Sequence, residues 1–142
     1  MIFWMMVAGH FLADFTLQSS NLAKRKQESM VFLLMHVAIY TVAIGLVAGV
    51  CVEYTKLPEP LFLIAATHFL TDGVKISIDK NAMQKKWEFW SFIIDQMLHL
   101  LVIAYVVWYY KWELYRSGLW SRLLGWEQLG SAILYGVTFL IL

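Results

Sequence analysis

Between Glu28 and Glu53 the sequence carries no Asp, Glu, Lys or Arg. A helix over Ser29–Val52 would be about 36 Å long at about 1.5 Å per residue, more than the roughly 30 Å of a bilayer's hydrocarbon core. Further runs of this kind leave little room for any fold other than helices packed side by side in a membrane. Of the 142 residues, 61% are hydrophobic and 15% charged, against about 25% charged in soluble domains; mean hydropathy is +0.64. Net charge of +1 provides no electrostatic basis for binding nucleic acid. One cysteine, Cys51, excludes an intrachain disulfide and a thiolate metal cluster, and reads as small apolar packing.

Four spans are expected. The first, from about Ile2 to Gln18, is short and implies little tilt or local thinning. Its start, MIFW, has no basic region and no cleavage site follows, so it reads as a retained helix rather than a signal peptide. SSNLAKRKQE (Ser19–Glu28) reads as a polar turn. The second span, Ser29–Val52, contains Gly45 and Gly49, a spacing that admits a close neighbour. EYTKLPEP breaks it. The third runs over Leu61–Ile78 and, after DKNAMQKKWE, the fourth over Phe89–Tyr110.

Residues 111–142 change character. Trp112, Trp120 and Trp126 alternate with Arg116 and Arg122, as in a segment lying at the headgroups. The apolar run Leu129–Leu142 is too short to span and stops without a charged flank, which fits either a partial helix or a longer native chain.

Lys24, Arg25, Lys26, Lys80, Lys85 and Lys86 fall in the first and third connections, and only Lys56 in the second. The positive-inside rule then places the first and third connections in the cytoplasm and the N-terminus outside.

Two motifs recur. HFLAD (His10–Asp14) matches HFLTD (His68–Asp72), and Leu33–Tyr40 resembles Gln96–Tyr105 when His36 is aligned on His99. The expected fold is therefore an all-α integral membrane protein: four transmembrane helices from two tandem hairpins, residues 1–52 and 58–110, followed by an interfacial segment and a partial C-terminal helix in 111–142. Parallel repeats would share a pseudo-two-fold axis along the membrane normal.

All four histidines and three of the four aspartates, Asp14, Asp72 and Asp95, fall within these spans. A four-residue spacing stacks two side chains on one helix face, so His10/Asp14, His68/Asp72 and Asp95/His99 are paired on their helices. Each Asp costs about 2.5–3.5 kcal/mol in mid-membrane on insertion scales. Such groups must pair, protonate, bind a cation or meet water.

Imidazoles and carboxylates without thiolate suit zinc, iron or manganese. The expected ligands are His10, His36, His68, Asp72 and His99. Asp95 is a further ligand or general base, and Asp14 orients His10 or completes a second site. A bound metal would make a hydroxide nucleophile at neutral pH. Gln18, Tyr40, Thr67, Thr71 and Gln96 are candidates to orient the imidazoles, and Lys75 to pair with Asp72 or snorkel.

The stretches GHFLADFTLQSSNLAKRK, LMHVAIYT, HFLTDGVKISI and FIIDQMLHLLVI together resemble the bacterial membrane family catalogued as domain of unknown function 3307, over roughly Met1–Val107. The resemblance implies a multi-pass protein of the bacterial cytoplasmic membrane, in a family with no established activity.

The residues themselves support three readings. The first is a metal-dependent hydrolase acting on a lipid or lipid-linked substrate at the cytoplasmic leaflet, with no organic cofactor. The second is a proton or cation relay; the third is a structural subunit, packed with its own copies or within a membrane complex.

Overall fold

The computed structural model describes residues 2–52, 56–81 and 85–112, which form helices and no strand. The helices are α1 (Ile2–Phe11), continued by a π-helical turn (Leu12–Thr16), α2 (Ser20–Glu28), α3 (Met30–Cys51), α4 (Pro58–Asn81) and α5 (Lys85–Tyr109). Apart from Lys111 and Trp112, the expected interfacial segment and terminal apolar run lie outside the described residues.

Among the described residues, three helices are long and apolar enough to cross a bilayer: Met30–Val50, Pro58–Lys80 and Phe89–Tyr109. The first apolar stretch, Ile2–Thr16, falls short of the roughly 20 residues a span needs.

Several sequence expectations change, among them the start of the fourth span, at Lys85 rather than Phe89. Residues 20–28 form a helix rather than a turn: Ser19, in extended geometry, accepts the Leu22 amide at 3.2 Å through its hydroxyl, an N-cap. The chain leaves α2 through Ser29 (φ −139°, ψ 132°), which also begins α3. The third expected span, α4, starts at Pro58, one turn before Leu61; Pro58 and Pro60 both suit its first turn, where amide donors have no intrahelical acceptor. At the other end α5 closes through Lys111 (φ 50°), with the Trp112 amide donating to the Val107 carbonyl at 3.1 Å. This is a left-handed helix stop built without glycine.

α1 packs on α3 and α5, and α4 packs on the same two helices. Under the sequence match α1 corresponds to α4 and α3 to α5, and that exchange maps this set of neighbours onto itself. Of the described glycines Gly9 is the most closely packed, a Cβ there lying 3.1 Å from Val47 Cγ2. Gly45 and Gly49 face Leu61 and Leu57 at 3.4 and 3.7 Å, ordinary van der Waals distances.

Polarity is inverted relative to a soluble bundle. His10, His36, His68, Asp72, Asp95 and His99 are buried, whereas Leu46, Phe62 and Trp108 are 68%, 75% and 74% exposed. An apolar core cluster of Met6, Tyr40, Ile44, Ile64, Ile103 and Val106 accompanies the polar one.

Candidate functional site

The π turn changes how the first motif is presented. Its defining bond runs from the Leu17 amide to the Leu12 carbonyl at 2.9 Å, and Asp14 lies at its middle. The matching HFLTD continues as regular α-helix in α4. Inserted π turns occur frequently at functional sites.

His36 and His68 meet at the centre, Nε2 to Nε2 at 3.0 Å. Asp14 Oδ1 lies 3.3 Å from His36 Nε2 and 3.6 Å from His68 Nε2. Asp72 Oδ2 lies 3.4 and 3.9 Å from the same two atoms. Asp14 is also 4.0 Å from His10, so it serves the central pair more closely than the histidine on its own helix.

Lys26, from α2, donates to Asp72 Oδ2 at 2.8 Å. Gln18, with its amide oriented to satisfy both neighbours, accepts from Lys26 at 3.2 Å and donates to the Asp14 carbonyl at 2.9 Å. Asp72 thus has a cationic partner. Asp14 Oδ1 and His68 Nδ1 are buried without any hydrogen-bond partner, each at a cost of about 1–3 kcal/mol.

The other two histidines are saturated. His10 Nε2 donates to Gln96 Oε1 at 3.1 Å, its Nδ1 accepts from the Tyr40 hydroxyl at 3.0 Å, and Gln96 in turn donates to Asp95 Oδ2 at 3.2 Å. His99 Nδ1 is 2.8 Å from the Asp95 carbonyl. A carbonyl only accepts, so Nδ1 carries the proton, and Nε2 accepts from the Thr71 hydroxyl at 2.8 Å.

This division follows the sequence match letter by letter. Thr71, which closes His99, corresponds to Ala13; Tyr40 and Gln96, which close His10, correspond to Ile103 and Leu33. The three partner residues of the saturated pair are thus replaced by apolar residues at the positions corresponding to them around His36 and His68. In the latter pair the two Nε2 atoms have each other as hydrogen-bond partner, a bond that a ligand held by both rings would replace.

Among the described residues, two donor groups are compact enough to hold a metal ion: Asp14 with His36 and His68, and His68 with Asp72 and His99. In the second, the His99 lone pair is already taken by Thr71. Tetrahedral coordination with bonds of about 2.0–2.1 Å separates donor atoms by about 3.3–3.4 Å. The first group, at 3.0, 3.3 and 3.6 Å, brackets that value.

Among the residues expected to orient imidazoles, Tyr40, Thr71 and Gln96 do so, and the Tyr40 ring also stacks on His68 at 3.7 Å. Thr67 instead bonds back to the Leu63 and Ile64 carbonyls of its own helix. Lys75 pairs with Asp79 at 2.5 Å rather than with Asp72. Sequence reasoning missed Lys26, whose α2 position read as a solvated connection.

Two cavities adjoin the cluster. A polar one of about 160 Å³ is lined by Asp14, Gln18, Lys26, Asp72, Lys75 and Asp95, among others. An apolar one of about 340 Å³ lies between α4 and α5 and shares Lys75 and Asp95 with the first.

These features define a class: an all-helical bundle with helices of membrane-crossing length, closed around a buried His/Asp cluster. The chain matches the family described as "Protein of unknown function (DUF3307)" over residues 2–121 and belongs to it. No curated protein and no solved structure matches it.

Proposed function

We propose that the protein is a multi-pass bacterial cytoplasmic-membrane enzyme of hydrolytic type, whose metal centre is formed by His36, His68 and Asp14, with Asp72 as a fourth donor or an outer anchor. The carrying observation is the convergence of three donor atoms from three helices within 3.0–3.6 Å, two of them on residues that hold buried atoms without partners. A cation would replace the His36–His68 hydrogen bond and draw Asp14 Oδ1 into the same set of bonds. Zinc, iron and manganese all suit a nitrogen and oxygen set.

Membrane embedding accounts for the exposed apolar side chains, which would otherwise be costly in water. α1 with its π turn completes a four-helix bundle, and the basic connections put the polar cavity on the cytoplasmic side.

A metal bound there supplies Lewis acidity and an activated water. The chain's own groups do the rest. Lys26 holds Asp72 at the centre's edge, and Gln18 ties Lys26 to the π turn. Asp95, whose Oδ1 has no partner, stands on the cavity wall as a proton acceptor. A lipid or lipid-linked substrate fits a polar cavity that continues into an apolar one.

The chain Tyr40–His10–Gln96–Asp95 favours a second reading, a proton relay. Its amide member opposes it: Gln96 would have to change tautomer to pass a proton, which makes the hydrolytic reading the stronger.

Elemental analysis of detergent-purified protein tests the centre. Wild type is expected to hold about one equivalent of metal, lost in His36→Ala and Asp14→Ala and kept in His10→Ala, at matched helicity. No metal after reconstitution with zinc, iron and manganese would end the metalloenzyme reading; retention followed by cleavage of lipid phosphates or esters would carry it forward.

A further inference from the structure

The apolar cavity between α4 and α5 is walled by Leu70, Val74, Ile78, Trp87, Ile94 and Leu98. All six side chains are also exposed on the outer surface, from 43% at Leu98 to 60% at Leu70, so the groove opens sideways. In a bundle with an apolar outside, the medium there is hydrocarbon. At about 340 Å³ it has the size of a small-molecule site.

Its inner end is not apolar. Asp95, 6% exposed, lies where the groove meets the polar cavity. Gln96 satisfies Asp95 Oδ2 at 3.2 Å, while Oδ1 has no hydrogen-bond partner. The nearest imidazole, His99, lies 3.6 Å from Oδ1 and gives its Nδ1 proton to the Asp95 carbonyl. A hydrocarbon chain alone would leave that carboxylate oxygen without a donor, a cost no aliphatic ligand offsets. The groove therefore calls for an occupant with an alkyl chain and, at the end of that chain, a hydrogen-bond donor.

We infer that this groove is the acyl-chain seat of a membrane lipid that enters sideways between α4 and α5, and that its head group, bearing a hydroxyl or an ammonium, donates to Asp95 Oδ1. This rests on the reading of the bundle as membrane-embedded with its centre beside the polar cavity, and it names the substrate class. Lys75, held by Asp79 at 2.5 Å, stands at the same junction and is oriented by that pair. The head group then reaches the cavity that Asp14, Lys26 and Asp72 line, one step from the His36/His68 centre.

The test is photolabelling in phosphatidylcholine nanodiscs. Three lipids carry the same diazirine-bearing acyl chain under a phosphoglycerol, a phosphoethanolamine or a phosphocholine head, the last having no donor. Labelled residues are mapped by mass spectrometry, and metal content is read on the same samples.

The expected result is groove labelling at Leu70, Ile94 and Leu98 about tenfold higher for a donor-bearing head than for phosphocholine, the ratio one hydrogen bond to a charged group gives. Preference for glycerol alone assigns a hydroxyl, and for ethanolamine alone an ammonium. Asp95→Leu, which removes the acceptor, should at matched helicity level the three heads while chain labelling persists. Val74→Trp should empty the groove and leave labelling at Leu46 and Phe62 unchanged. Equal labelling by all heads in wild type, or a preference that survives Asp95→Leu, overturns the proposal. So does a groove that stays unlabelled while Leu46 and Phe62 are labelled, as when protein fills it. Metal content separates the two readings: its absence with head preference intact defeats the metal centre and leaves the lipid seat standing.

Discussion

Tyr40→Phe isolates one hydrogen bond of the scaffold. The hydroxyl donates to His10 Nδ1 at 3.0 Å, with His10 fully buried and Tyr40 1% exposed. Truncation removes the donor and leaves the Nδ1 lone pair unpartnered where water does not reach. The general cost of such an orphan is about 1–3 kcal/mol, and measured contacts between membrane helices average about 0.6 and reach about 1.7 kcal/mol. Because His10 is also held through Nε2 by Gln96, the ring cannot turn to recover a partner, which puts the loss at the upper end, about 1–2 kcal/mol. The phenyl ring keeps its 3.7 Å stack on His68, so the centre should stay intact. Unfolding by sodium dodecyl sulfate in mixed micelles, followed by far-ultraviolet circular dichroism, measures the first quantity, and elemental analysis the second. A loss below about 0.3 kcal/mol would refute the tautomer and partner assignment for His10, and a loss of metal would refute the separation of scaffold histidines from ligand histidines.

Other outcomes follow from the same geometry. Thr71→Ala should unlock His99 Nε2, now bonded at 2.8 Å, and raise zinc occupancy at the His68/Asp72/His99 group in equilibrium dialysis. Lys26→Met strips a buried carboxylate of its 2.8 Å partner; metal-free protein should lose about 3 kcal/mol of stability, and zinc should restore part of it. Gly9→Ala sets a Cβ 3.1 Å from Val47 Cγ2 and should gain less stability than Gly73→Ala, which meets nothing within 4 Å and should be neutral or stabilising by up to about 1 kcal/mol. Lys111→Gly should stabilise by about 1 kcal/mol in the same assay, since glycine adopts the positive φ without steric cost.

The long apolar helices and the clustering of histidines with aspartates were legible in the sequence because both depend on spacing along single helices. Which histidines are free was not, since that is decided sideways: Tyr40, Gln96 and Thr71 act on rings carried by other helices. Half of that answer lay in plain view as the one-letter difference between HFLAD and HFLTD, but a hydroxyl's partner cannot be read from its own helix. The α2 helix was obscured for a different reason. Its residues are polar apart from Leu22 and Ala23, so no apolar period marks it, and only the Ser19 cap and its packing on α3 make it helical.

The π turn at Leu12–Thr16 fixes the rotational phase of the first helix. Each residue of an α-helix advances the side chains by about 100°, so a single residue gained or lost turns everything on one side of it by that amount. Residues before the turn must present Gly9 to Val47 and His10 to Tyr40; those within and after it must present Asp14 to His36 and Gln18 to Lys26. Shortening Leu12–Thr16 by one residue would restore a better-bonded α-helix and rotate one of these faces out of the bundle. The extra residue acts as a clutch, letting one helix serve two partners that a regular screw could not address together.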